Sequence, residues 1–125
     1  MKIYADIGFY KTDYLMGRIP VMPEEDFDYW SMLATSEIRK RTFSRIDHMD
    51  NTPEEAKMCC CEVLEKLYKF ESAKSENGLI LQSYNNDGEA GTYKLDDMTE
   101  PALKKEVVSI IRRWLSGTEL LYCGV

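Results

Sequence analysis

TPEEAKMCCCEVLEKLYKF, Thr52 to Phe70, is the stretch that decides the fold class. Thr52 stands where a helix cap belongs, Pro53 suits the first helical position, and Glu55 can reach back to the N–H of the cap. Ala56, Cys60, Val63, Leu64, Leu67 and Phe70 then follow the three-four spacing of one buried helical face. Glu62, Glu65, Lys66 and Lys69 fall mostly on the other face. The spacing predicts a long helix running to about Ser75, with Asn77-Gly78 as its breaker.

Two more helices flank it. Upstream, Pro23 leads into Glu24, Glu25 and Asp26, acids that favour the positive end of a helix dipole, and Phe27, Trp30, Leu33, Ala34 and Ile38 supply an apolar stripe. Arg39, Lys40 and Arg41 fall in the expected last turn, where cations suit the negative end. Downstream, Thr99-Glu100-Pro101 opens a helix carrying Leu103, Val107, Val108, Ile111, Trp114 and Leu115, with Gly117 as the expected left-handed stop. Near the N-terminus, Phe9, Tyr10 and Tyr14 form a short helical turn ended by Gly17, an aromatic lid on one end of a bundle.

The segments between and after these helices are of a different kind. Gly78 to Asp97 places apolar and β-branched residues around Asn86-Asp87-Gly88, a tight-turn signal, and is read as an extended hairpin-like loop. From Thr118 the chain forms an extended arm whose Leu120, Leu121, Tyr122 and Val125 are apolar, although chain ends usually fray into polar residues. Either this arm is held by a partner or it folds back over its own bundle as a lid. The expected architecture is mainly α: one domain of three long helices and a short N-terminal helix, with the loop at 78–97 and the arm at 118–125.

Composition narrows the function. The 125 residues fit a single domain, and 44% apolar residues support a modest core. The 16 Lys and Arg against 22 Asp and Glu give a net charge of −6, a surface that repels nucleic acid and anionic membranes as a whole. The beginning, MKIYADIGFY, lacks the apolar core of a secretion signal, and no apolar run approaches the roughly 18 residues of a membrane span, so a cytoplasmic protein is expected.

Chemistry-bearing motifs are scarce. Cys59, Cys60 and Cys61 are consecutive; neighbours on a helix point about 100° apart, so their thiolates do not converge on one tetrahedral ion, and they read as small buried hydrophobes. Cys123 is expected to pack, and His48, the single histidine, is a loop residue. No phosphate-cradling glycine motif, nucleophile elbow or calcium loop occurs, so no catalytic residue, metal or cofactor is expected. Two other readings remain: a helical DNA-binding or regulatory protein using Arg39 to Arg45, and a small metal protein using the cysteine triplet.

The order of residues along the chain carries more. Tyr4, Tyr10-Lys11, Tyr14, Gly17 and Ile19 precede Glu24-Glu25-Asp26-Phe27, Ala34, Ile38, Thr42 and Arg45-Ile46. Pro53-Glu54-Glu55 then opens a helix containing Leu67-Tyr68, Gly78 begins a Ser- and Asn-containing loop, and Arg113 to Thr118 leads to Leu121-Tyr122-Cys123-Gly124-Val125. In this order and spacing, nearly the whole chain resembles the head-tail connector (adaptor) proteins of long-tailed phages and prophages. The cysteine triplet and Trp30 depart from the family pattern.

The resemblance implies a helical subunit of a homo-oligomeric, dodecameric ring that docks under the portal after DNA packaging and prepares the neck for the stopper and tail. It places the protein in the bacterial cytoplasm during assembly and then in the virion neck. It implies that the terminal segment, with Leu120, Leu121, Tyr122 and Val125, docks on the portal. Tyr84, Asn85, Asn86, Asp87 and Gly88 would lie toward the channel or neighbouring subunits, with DNA sliding through a channel that makes no sequence-specific contacts.

Overall fold

The long helix that begins beside Pro53 is the axis of the fold. The computed structural model describes the backbone of residues 3–84 and 100–121, and the side chains of 3–73 and 101–121. Along the chain come α1 (Ile7–Phe9), which continues as a π-helical turn over Tyr10–Tyr14, α2 (Phe27–Thr42), α3 (Glu54–Tyr84) and α4 (Glu100–Leu115). Short 3-10 turns at Glu24–Asp26 and Arg45–His48 bracket α2. The described residues contain no strand, and α3 packs against α2 on one flank and α4 on another. The expected small all-α bundle is the observed architecture.

The core follows the helical stripes. Phe27, Ala34 and Ile38 of α2, Ala56, Cys60, Val63, Leu64 and Phe70 of α3, and Val107, Ile111 and Leu115 of α4 are buried. Two features of this core depart from a single stripe per helix. Because α3 has neighbours on several sides, Cys59 and Cys61 are as fully buried as Cys60. On α2 the buried face includes Ser31, Thr35 and Thr42, all 0% exposed. Their hydroxyls are satisfied: Ser31 Oγ donates to the Ala5 carbonyl at 2.7 Å, Thr35 Oγ1 accepts from the Tyr4 N–H at 3.1 Å, and Thr42 Oγ1 donates to the Ile38 carbonyl at 2.9 Å. Buried polar groups persist where partners are supplied, and here two of them fasten the N-terminal segment across α2.

The aromatic N-terminal lid is present. Tyr10, 1% exposed, stacks on Tyr14 (5.8 Å between centroids) and tilts against Phe27 (5.1 Å). Both tyrosine hydroxyls donate to the Glu65 carboxylate of α3, at 2.9 and 3.1 Å. Gly17, at φ +91°, makes the turn that ends this lid.

Three boundaries differ from the sequence reading. The helix does not break at Asn77-Gly78: α3 runs on to Tyr84, so residues 78–84 of the expected loop are helical, and 85–97 lie outside the described residues. A glycine inside a helix costs about 1 kcal/mol relative to alanine, and the helix formers Leu79, Leu81 and Gln82 that follow offset it. Gly117 is not the left-handed stop; the positive φ falls on Glu119, at +66°. The third difference is the arm. Thr118 Oγ1 donates to the Leu115 carbonyl at 2.6 Å and accepts from the Leu120 N–H at 3.3 Å, a turn that folds Leu120 back until it is 8% exposed in the core. The separate arm therefore does not begin at Thr118, because burial of Leu120 in its own bundle outweighs extension into solvent.

Candidate functional site

Residues 15–22 join the aromatic lid to α2, and their local chemistry fixes a protruding edge. Leu15 is buried, but the next residue, Met16, adopts φ +51° and Gly17 follows at +91°, so the chain turns outward. Arg18 holds the turn: its Nε donates to the Leu15 carbonyl at 2.9 Å, one Nη to the Tyr14 carbonyl at 2.6 Å, and its guanidinium lies 5.5 Å from the centre of the Tyr14 ring. Val21 N–H donates to Tyr10 Oη at 3.4 Å, and Met22 is buried again. Between these anchors Met16 is 80% and Ile19 87% exposed. A non-glycine residue at positive φ costs roughly 1–2 kcal/mol, and here it turns an apolar side chain into solvent. Met16 was not singled out in the sequence; the signal available was the glycine turn itself, with Leu15 and Met16 before it and Ile19 after Arg18.

The predicted docking residues divide. Leu120 is in the core and Leu121 packs against it, while Tyr122 and Val125 lie outside the described residues. One Nη of Arg45 clamps the turn by donating to the carbonyls of Glu119 and Leu120, each at 3.3 Å. Leu120 and Leu121 are therefore closing their own bundle. Of the predicted loop residues, Tyr84 is the last described residue of α3, and Asn85, Asn86, Asp87 and Gly88 lie outside the described residues.

The basic cluster at the end of α2 is engaged internally. Arg39 Nε meets Asp47 at 2.5 Å, Lys40 and Arg41 reach Glu37 at 3.6 and 3.0 Å, and Arg45 is committed as above. Asp47 also accepts a hydrogen bond from Tyr4 Oη at 2.8 Å. Burial opposes ionisation of Asp47, but the Tyr4 hydrogen bond and the Arg39 guanidinium outweigh it and hold the carboxyl below its usual range. These cations have carboxylate or carbonyl partners within the chain before any phosphate arrives.

Cys59, Cys60 and Cys61 lie where the sequence reading put them, in the core as free thiols, whereas Cys123 lies outside the described residues. Burial pushes the Cys60 thiol up to about 11, against weaker lowering by its hydrogen bonds with Thr35 and Ser31, and burial likewise drives Cys59 and Cys61 far above the ordinary thiol range. Nucleophilic thiolate is accordingly suppressed. Labelling with a thiol reagent at pH 8 should be on the order of a hundredfold or more slower for these three residues in the folded chain than in denaturant. Rapid labelling of any of them under native conditions, read by mass spectrometry of the peptides, would contradict this.

Among the described residues no group of three or more His, Cys, Asp or Glu is placed to hold a metal ion, and no helix is long and apolar enough to cross a membrane. A groove of about 790 Å³ runs between α2, α3 and α4, floored by Leu67, Phe70, Leu103 and Val107 and rimmed by Glu37 and Lys104. No protein-family model matches the chain, and comparison with curated proteins and with solved structures likewise gives no match.

Proposed function

We propose that the chain is a structural protein of the phage neck, a ring-forming head-tail connector that docks under the portal after DNA packaging and links it to the stopper and tail. The observation that carries this reading is the exposure of Ile19, 87%, on a turn held by Arg18, Tyr14 and Gly17. Tyr14, Gly17 and Ile19 belong to the ordered set on which the resemblance rests. Tyr4, Tyr10 and Tyr14 of that set build the body, whereas Ile19 finds no place in its own core. An apolar residue displayed on a rigid edge is what an assembly subunit uses, since interface energy concentrates in a few well-placed anchors.

In this reading docking on the portal falls to the terminal segment, and with Leu120 and Leu121 packed on their own bundle the contact is assigned to the residues after Leu121. The test is co-sedimentation with rings of the portal protein encoded in the same genome. A chain ended after Leu121, checked to be folded by its cooperative melting, should fail to travel with the portal, whereas the intact chain does. A chain ended after Gly117 should in addition lose about 2 kcal/mol of stability, because Leu120 leaves the core. If the intact, folded chain does not sediment with the portal, the connector reading is wrong. Salt-sensitive binding to duplex DNA would then move the regulatory reading to first place.

A further inference from the structure

The end of α2 carries a strained aromatic residue that stands half outside the core. Phe43 stops the helix in the left-handed region, at φ +57°, with its N–H donating to the Arg39 carbonyl, and Ser44 follows at +58°. Glycine or asparagine takes that conformation at least cost, and a bulky side chain there is uncommon. The ring is 52% exposed. Helix termination alone would be served better by a smaller residue.

That ring borders a cleft of about 320 Å³ between the end of α2, α4 and the turn after α4. Phe43, Val108, Ile111 and Leu121 supply its apolar part, and Lys40, Arg41 and Arg112 its charged part. Two contacts bring the turn after α4 to this cleft. Leu121 itself lines it, and Arg45 ties its walls together, the guanidinium lying 5.1 Å from the centre of the Phe43 ring while donating to the Glu119 and Leu120 carbonyls. Lys40 and Arg41 are already held by Glu37, so the cleft is not laid out as an anion site. It offers a ring and two aliphatic side chains around a space at the small end of ligand clefts, which begin near about 300 Å³.

The next side chain in the sequence is that of Tyr122. A trans peptide holds its Cα about 3.8 Å from that of Leu121, a residue already at the cleft, so no further length of chain is needed to reach it. We infer that the cleft is the seat of Tyr122 of the same chain, its ring against Phe43 and Val108 and its hydroxyl toward Arg112, a donor a buried phenol can use. The terminal segment is thereby latched to its own body in the free subunit. The latch deepens the connector reading and rests on it only for release. If the residues after Leu121 dock on the portal, Tyr122 has to leave the cleft, and the portal's apparent affinity falls with the fraction of chains that are latched.

NMR on the intact chain with labelled valine methyls tests the seat. The Val108 methyls should show contacts to a tyrosine ring that vanish in Tyr122→Ala and persist on dilution. Their absence from the intact chain overturns the inference, and contacts that arise only on concentration overturn it in favour of a second copy's tail. Tyr122→Ala should also melt roughly 3–6 °C below wild type. In a Phe43→Ser background, where a half-exposed ring leaves without opening the core, that loss should fall to less than half, and an equal loss in both backgrounds would again overturn the seat. With portal rings, Phe43→Ser should co-sediment at severalfold lower ring concentration than wild type. Equal binding of the two chains overturns the competition, whereas portal rings that take neither chain overturn the connector reading and leave the methyl contacts standing.

Discussion

Phe27→Ala lowers the stability of the folded chain by about 3–5 kcal/mol, a large part of what a domain of this size has to lose. Phe27 opens α2, is 1% exposed, and holds its ring 5.1 Å from that of Tyr10. Truncation to alanine leaves a cavity under the aromatic lid and takes away the surface on which Tyr10 rests, while the Tyr10 hydroxyl still needs Glu65. The loss should therefore exceed the simple transfer of a phenyl ring. Phe27→Leu, which keeps most of the volume, should cost roughly half as much or less. Chemical denaturation of the two variants measures this. A loss under about 1 kcal/mol for the alanine variant would mean that the lid does not pack on α2 as described.

Asp47→Ala has the second largest expected effect, about 2–4 kcal/mol. The carboxylate accepts from Tyr4 Oη at 2.8 Å and from Arg39 Nε at 2.5 Å, joining the N-terminal segment, α2 and the turn after it. Removing it leaves a half-buried guanidinium and a buried phenol without their acceptor. The pH dependence follows from the directions of the shifts. The carboxyl of Asp47 is held below its unfolded value, so its contribution is present above that value, near 3.9, and is lost as pH falls through the lower folded one. The difference in melting temperature between wild type and Asp47→Asn should shrink over that acid range.

At the alkaline end the sign is reversed. Burial, and then the hydrogen bond to Asp47, push the Tyr4 phenol far above its usual value, so the folded state keeps it neutral while the unfolded chain ionises near pH 10. Tyr10 and Tyr14 are raised in the same way, by burial and by Glu65. Their contribution is present below pH 10 and lost as pH rises above it. Wild type should accordingly melt at progressively lower temperature above that pH, and Tyr4→Phe should show a shallower decline. Parallel acid and alkaline profiles for wild type and these variants would rule out the network as the source of the pH dependence.

These networks also show where sequence reading reached its limit. Thr52 to Phe70, Pro23 to Arg41 and Glu100 to Leu115 were legible as helices because apolar spacing, prolines and end charges agreed locally, and local agreement is what a single chain displays. Ser31 and Thr35 were not legible as core residues. Their burial depends on Ala5 and Tyr4 arriving from about thirty residues away with a carbonyl and an N–H to match them. The run Cys59 to Cys61 was legible as buried, but that all three face neighbours follows from α3 being surrounded by the lid, α2 and α4.

For the candidate site the division is similar. The sequence alone determined a mainly α chain with a net charge of −6, few chemistry-bearing motifs, and an apolar run after its last helix. Only the tertiary structure decided which apolar residues were left over. Leu120, which reads as a free anchor, is drawn into the core by the Thr118 turn and the Arg45 clamp, while Ile19, as apolar as Leu120, is left outside after two successive positive φ angles at Met16 and Gly17. Hydrophobicity is a property of a residue, but whether it is spent inside or offered outside depends on the space that remains once distant segments have packed.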